Sequence, residues 1–147
     1  MPKFRSVNDV LDFAIARESE AHDFYTGLVK LVSKAELRTV ISGFAVDELQ
    51  HRIRLQAIKA GEAAFIEEEV GSLGIAETVK QVEPYAQMTY KDLLVVAMNR
   101  EKTAFRLYTN LSSMARSPEV RNTLLGLAQE EAQHKLRLEI EYDWETS

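Results

Sequence analysis

Two stretches decide the reading: Phe44-Ala45-Val46-Asp47-Glu48-Leu49-Gln50-His51, and Leu127-Ala128-Gln129-Glu130-Glu131-Ala132-Gln133-His134. Each carries a Glu-x-x-His, and the two copies lie 83 residues apart. The same shift lays residues 14–30 on 97–113. Across windows 14–30 and 44–58, 13 of 32 positions are identical to their counterparts. The identities include Glu18/Glu101, Tyr25/Tyr108, Glu48/Glu131, Gln50/Gln133 and His51/His134. One structural unit is written twice, and internal duplication is read before anything else.

The unit is a helical hairpin. Val7, Val10, Leu11, Ala14, Ile15, Glu18, Ala21, Tyr25, Leu28, Val29 and Val32 recur at steps of three and four, the signature of a helix with one buried face. Ser6, with Asp9 three residues on, starts a helix over about 7–32. Ser33 with Glu36 predicts the next start, and Leu37, Ile41, Phe44, Glu48, His51, Leu55 and Ile58 mark its inner stripe as far as Gly61. Thr89 with Asp92 predicts a third helix over 90–114. Ser117-Pro118 predicts a fourth that runs to Tyr142, since proline suits the first helical position. Residues 62–88 hold Gly71, Gly74 and Pro84 and read as a long crossover, with a helical turn near 76–82. No segment alternates as a strand does. The fold class is therefore all-α: one domain over 1–147, an antiparallel four-helix bundle of two hairpins (about 7–61 and 89–142).

Composition narrows the chemistry. The 147 residues include no cysteine, which removes disulfides, thiolate metal sites and a cysteine nucleophile. Net charge is −5, without a basic cluster, so nucleic acid is not an expected partner. No run approaches the 18 apolar residues of a membrane span, and the start lacks the apolar core of a signal peptide, so the cytoplasm is the expected location.

Each hairpin has a Glu, then thirty residues on a Glu-x-x-His: Glu18 with Glu48 and His51, Glu101 with Glu131 and His134. The first Glu lies about 15 residues before its turn and the second about 15 after it. At about 1.5 Å rise per residue both stand at the same height. Three-residue spacing puts each Glu and its His on one helix face. All six fall on apolar stripes, where four carboxylates are costly unless compensated. Two divalent cations would compensate them, and carboxylate and imidazole donors suit iron, manganese or zinc. A salt-bridged core without metal is the plain alternative. His22 has no Glu three residues before it and aligns with Phe105, so it reads as structural. Glu67, Glu68 and Glu69 read as a solvated surface. Tyr25 and Tyr108, seven residues after Glu18 and Glu101, read as core tyrosines or as donors to a ligand carboxylate from behind.

Taken together, Arg17-Glu18 through Tyr25, Glu48-Leu49-Gln50-His51, Arg100-Glu101 through Tyr108 and Glu131-Ala132-Gln133-His134 resemble the ferritin-like di-iron carboxylate superfamily, and within it the rubrerythrin-type group. The resemblance implies a ferritin-like bundle with two iron ions. It assigns Glu48 and Glu131 as bridges, Glu18 and Glu101 as terminal carboxylates, and His51 and His134 as terminal nitrogens. It implies a redox protein reacting with O2 or hydrogen peroxide, fed by an external electron donor. The alternatives are an iron-binding or storage protein without turnover, and a bundle holding another metal.

Four departures qualify the resemblance. With no cysteine, the chain lacks the cysteine-ligated iron of rubrerythrins. Ala104 stands where they have an extra Glu, which counts against peroxidase activity of their kind. Leu49 stands where bacterioferritins place a haem-binding methionine, so no haem is expected. A fifth short helix is absent, so a homodimer is expected rather than a cage.

Overall fold

The computed structural model describes residue 4 and residues 6–61 and 88–146. Four helices form: α1 over Val7–Val29, α2 over Ala35–Ala60, α3 over Tyr90–Ser112 and α4 over Pro118–Thr146. No strand occurs among the described residues. The turn expected near 76–82 and the Glu67–Glu69 run lie outside them. The chain divides into two compact units, one spanning Ser6–Glu62 and the other containing α3 and α4. In the first α1 packs along α2, and in the second α3 packs along α4.

Capping sets most of the boundaries. The Ser6 hydroxyl accepts from the Asp9 amide at 3.2 Å. Thr89 and Asp92 form a reciprocal capping box, each side chain accepting from the other's backbone amide at 3.1 Å. The Ser117 hydroxyl accepts from the Val120 amide at 3.2 Å, one residue before Pro118 opens α4.

Three expected boundaries move. α1 ends at Val29, not near 32, because the chain tightens into a turn: Lys30, Leu31 and Val32 donate to the carbonyls of Gly27, Leu28 and Val29. That turn buries Val32. The chain then has to extend, so the cap expected at Ser33 does not form. Lys34 takes the N-cap position at φ −81°, ψ 122°, with no side-chain hydrogen bond. At the other end α4 runs past Tyr142 to Thr146, whose hydroxyl donates to the Tyr142 carbonyl at 2.9 Å. Nothing between Asp143 and Thr146 breaks a helix, so Trp144 is a helical residue, 69% exposed.

Each hairpin buries an apolar stripe with polar residues set into it. In the first, Leu11, Tyr25, Ile41 and Leu55 are fully buried; in the second, Leu94, Tyr108, Leu111, Leu124, Leu127 and Leu138 are. The carboxylates and imidazoles of the repeated motifs share those stripes.

Candidate metal centre

In the first hairpin Glu18 projects from α1, and Glu48 and His51 project one turn apart from α2. They are 2%, 1% and 0% exposed. Nδ1 of His51 lies 3.1 Å from Oε2 of Glu18 and 3.2 Å from Oε1 of Glu48. Burial by itself would make this imidazole less basic. The two carboxylates outweigh that by hydrogen bonding and charge, and raise its pKa from 6.5 to about 11. Without metal, the group is therefore an imidazolium held between two carboxylates at neutral pH.

The second hairpin repeats the arrangement with Glu101 on α3 and Glu131 and His134 on α4, at 2%, 1% and 4% exposure. Nδ1 of His134 lies 3.6 Å from Oε1 of Glu101 and 3.6 Å from Oε1 of Glu131. Both distances exceed hydrogen-bonding length, although the donor types and their order are those of the first hairpin.

All six residues read from the sequence as ligands are thus buried, and within each hairpin the expected three come together. In each triad one nitrogen and two carboxylate oxygens lie within 4.8 Å of one another. The donor set fits a divalent cation. Two hard oxygens and an imidazole nitrogen converge where water is excluded, and they carry negative charge that burial alone would penalise. Iron, manganese and zinc all accept such donors.

The neighbours are less alike. Nδ1 of His22 donates to the Ala45 carbonyl at 2.9 Å, tying α1 to α2. The structural reading of His22 holds: a carbonyl only accepts, so Nδ1 carries the proton. Arg52 donates to the Ser19 hydroxyl at 3.1 Å, one residue beyond the ligands on each helix. Apolar periodicity alone does not mark this contact. The Arg52/Ser19 pair maps onto Lys135/Lys102 in the repeat, two like charges, and that difference was the available signal. Tyr25, 1% exposed, meets Phe24 and Phe44 edge-on with ring centroids 5.5 Å away in each case. Tyr108 is equally buried.

A further pair was not anticipated. Glu141, 7% exposed on α4, accepts from the Tyr90 hydroxyl at 3.4 Å. Burial, then the charges of Glu141 and Glu145, push the Tyr90 hydroxyl's pKa upward. Shifting back by 83 residues finds Val7 and Ile58 in the first hairpin. A polar pair thus stands where the duplicate has an apolar one.

Helical hairpins carrying paired Glu and Glu-x-x-His triads define a carboxylate-type metal protein of the bundle class. A family model for rubrerythrin matches residues 9–142, and the chain belongs to that family. No curated protein matches the sequence. Among solved structures, a hypothetical protein from Pyrococcus furiosus is 26% identical, over 94% of this chain and 89% of its own, with a TM-score of 0.74. A Thermotoga maritima protein named as a ferritin-like diiron-carboxylate protein is 22% identical, over 100% of both chains, with a TM-score of 0.74. The fold is the ferritin-like four-helix bundle. No helix among the described residues is long and apolar enough to cross a membrane.

Proposed function

We propose that this chain is a di-iron carboxylate redox protein in which the two triads together hold one metal pair. The observation that carries the reading is the duplicated triad: six buried donors, three per hairpin, in the same order and on the same faces. Family membership supports iron as the metal. When bound, the iron pair supplies two-electron chemistry toward O2 or hydrogen peroxide. Glu48 and Glu131 would bridge the pair, and Glu18, His51, Glu101 and His134 would complete it.

The chain's own residues do the rest. The carboxylates bring the negative charge that offsets the cations, and the apolar stripes keep water away from them. His51 would hold a metal ion only as the neutral imidazole, so its extra proton would pass to solvent on loading. With no cysteine in the chain, electrons arrive from an external donor, so sustained turnover requires an added carrier.

The test is metal analysis of protein from iron-supplied cells, followed by rapid-mixing oxidation of added ferrous ion. About two iron ions per chain, and oxidation far faster than in buffer, are expected from two sites of this type. Folded protein with no capacity for a second ion overturns the reading. Two ions bound without accelerated oxidation would make it an iron-binding protein instead.

A further inference from the structure

We propose that the outer face of α4, from Leu136 to the helix end, is the docking surface for the electron donor, a one-electron carrier protein whose redox group is ringed by lysine and arginine. The proposal rests on the reading of this chain as a di-iron redox protein supplied with electrons from outside. Leu136, Ile140 and Trp144 are 59%, 44% and 69% exposed and follow one another at four-residue steps along α4. Apolar anchors at such steps are how a helix face is received by a groove on a partner. Between Gln129 and Thr146, the other residues within about 60° of Ile140 on a 100° helical wheel are two glutamines, with Arg137 and Asp143 at the edges. Leu136 is two residues beyond His134, about 3 Å along the axis, and lies on the opposite side of α4. A redox group seated at Leu136 is therefore about one helix diameter, 10 Å, from the His134 triad.

Charge singles out the occupant. From Glu139 to the end of α4 every charged residue is acidic: Glu139, Glu141, Asp143 and Glu145. Lys135 donates to Glu139 at 3.1 Å, and Glu141 accepts from Tyr90; Asp143 and Glu145 stand exposed on the last turn. That turn carries no basic residue. The carbonyl end of a helix favours cations, so the sequence keeps negative charge there against the helix's own preference. The two acids and the helix end together attract a positively charged rim and steer it toward the apolar line. A second copy of this chain is the poorer occupant. An antiparallel pair on this face would set Glu139 and Asp143 of both copies along one flank, where like charges repel.

The duplicate lacks these features. The counterparts of Leu136, Ile140 and Trp144 are Ile53, Ala57 and Gly61, so only the first anchor is kept. Asp143 aligns with Ala60, where α2 ends. The last turn of α2 carries Lys59, which pairs with Asp12 of α1. The second hairpin has thus gained a helical turn, an exposed tryptophan and an acid beside it. The docking surface belongs to the second hairpin alone.

The probe is zinc-substituted cytochrome c, whose porphyrin edge is ringed by lysines and whose flash-excited state is a strong one-electron reductant. Titration calorimetry of the iron-loaded full chain in the dark reads binding without turnover. After a flash, the excited porphyrin gives one electron to a ferric ion of the pair, leaving a porphyrin cation radical and a ferrous ion, and its decay reads that transfer. The wild type is expected to bind, and more weakly as salt rises. Trp144→Ala is expected to weaken binding at least about tenfold, as loss of a tryptophan anchor does. Asp143→Asn with Glu145→Gln should weaken it and flatten the salt dependence. Ile53→Ala, at the matched position on α2, should leave it unchanged. Circular dichroism and metal content, unchanged in all variants, show that the fold and the triads survive. Absence of binding overturns the proposal, as does binding that the α4 variants leave unaltered, or binding without electron transfer to the iron-loaded protein. Self-association of the wild type that is lost with Trp144→Ala makes a second copy the occupant and also overturns it. A chain that holds no iron pair yet binds the probe through Trp144 would refute the di-iron reading and leave the docking surface standing.

Discussion

The two hairpins carry the same triad of two glutamates and a histidine in different settings. In the first, Nδ1 of His51 is hydrogen-bonded to Glu18 at 3.1 Å and lies 3.2 Å from Glu48; in the second, both distances to His134 are 3.6 Å. The first has His22 on the Ala45 carbonyl and Arg52 on Ser19. The corresponding side chains in the second are Phe105, which has no hydrogen-bonding atom, and two lysines. Duplication thus preserves the donors that a cation needs, while the polar ties that fix helix to helix beside them differ. The six triad residues are the same in both halves; their neighbours are not.

The largest expected effect tests whether the halves are equivalent. Glu48→Ala and Glu131→Ala should each abolish binding of at least one metal ion and the oxidation of ferrous ion, while helical content stays. Metal titration with circular dichroism checks this, and a fully active variant of either kind would make the halves functionally unequal. Chelation belongs with it. A ligand held at about 100 times its dissociation constant adds about 2.7 kcal/mol to stability, so stripping the metal should lower the melting temperature by several degrees.

A second test separates the triads by pH. The folded pKa of His51, about 11, lies above the unfolded 6.5. The stability that its ion pair contributes to metal-free protein is therefore full below about pH 6.5, and is lost as pH rises through about 11. The stability gap between wild type and His51→Gln in denaturant titrations should shrink over that range. A constant gap would mean that His51 is not held as an imidazolium. Metal loading near neutral pH should also release the His51 proton, which an indicator dye would report.

Smaller effects sharpen the comparison of surroundings. His22→Phe makes the first hairpin resemble the second and removes one helix-to-helix hydrogen bond. The expected cost is about 1 kcal/mol in the midpoint of chemical unfolding, with metal content unchanged. The reciprocal Phe105→His should stabilise by less than that, because the gain of one part-exposed bond is offset by lost apolar contact. Smallest of all is the exchange of Tyr90 and Glu141 together for the Val and Ile of the first hairpin. Replacing both members of a part-buried polar pair by apolar groups is close to neutral, within about 1 kcal/mol, whereas Glu141→Ile alone leaves the Tyr90 hydroxyl without this acceptor and should cost more.

Much of this protein was legible as a string. Two matched Glu and Glu-x-x-His sets, thirty residues apart within each half, name the candidate ligands because helical geometry alone puts them at one height and on one face. Apolar stripes at 3.6-residue periodicity name the four helices for the same reason. Two ends, the close of α1 and the start of α2, were decided by tertiary structure. Val32 is buried, and its burial pulls the chain into a turn that takes the cap away from Ser33. Trp144 extends α4 because nothing after Tyr142 stops a helix. The separation of His51 from its carboxylates, unlike that of His134, depends on how side chains settle when two helices close on each other. The part-buried Tyr90–Glu141 pair lies 51 residues apart in the chain. Local pattern carries periodicity and spacing, but only packing decides which polar atoms meet once water has been excluded.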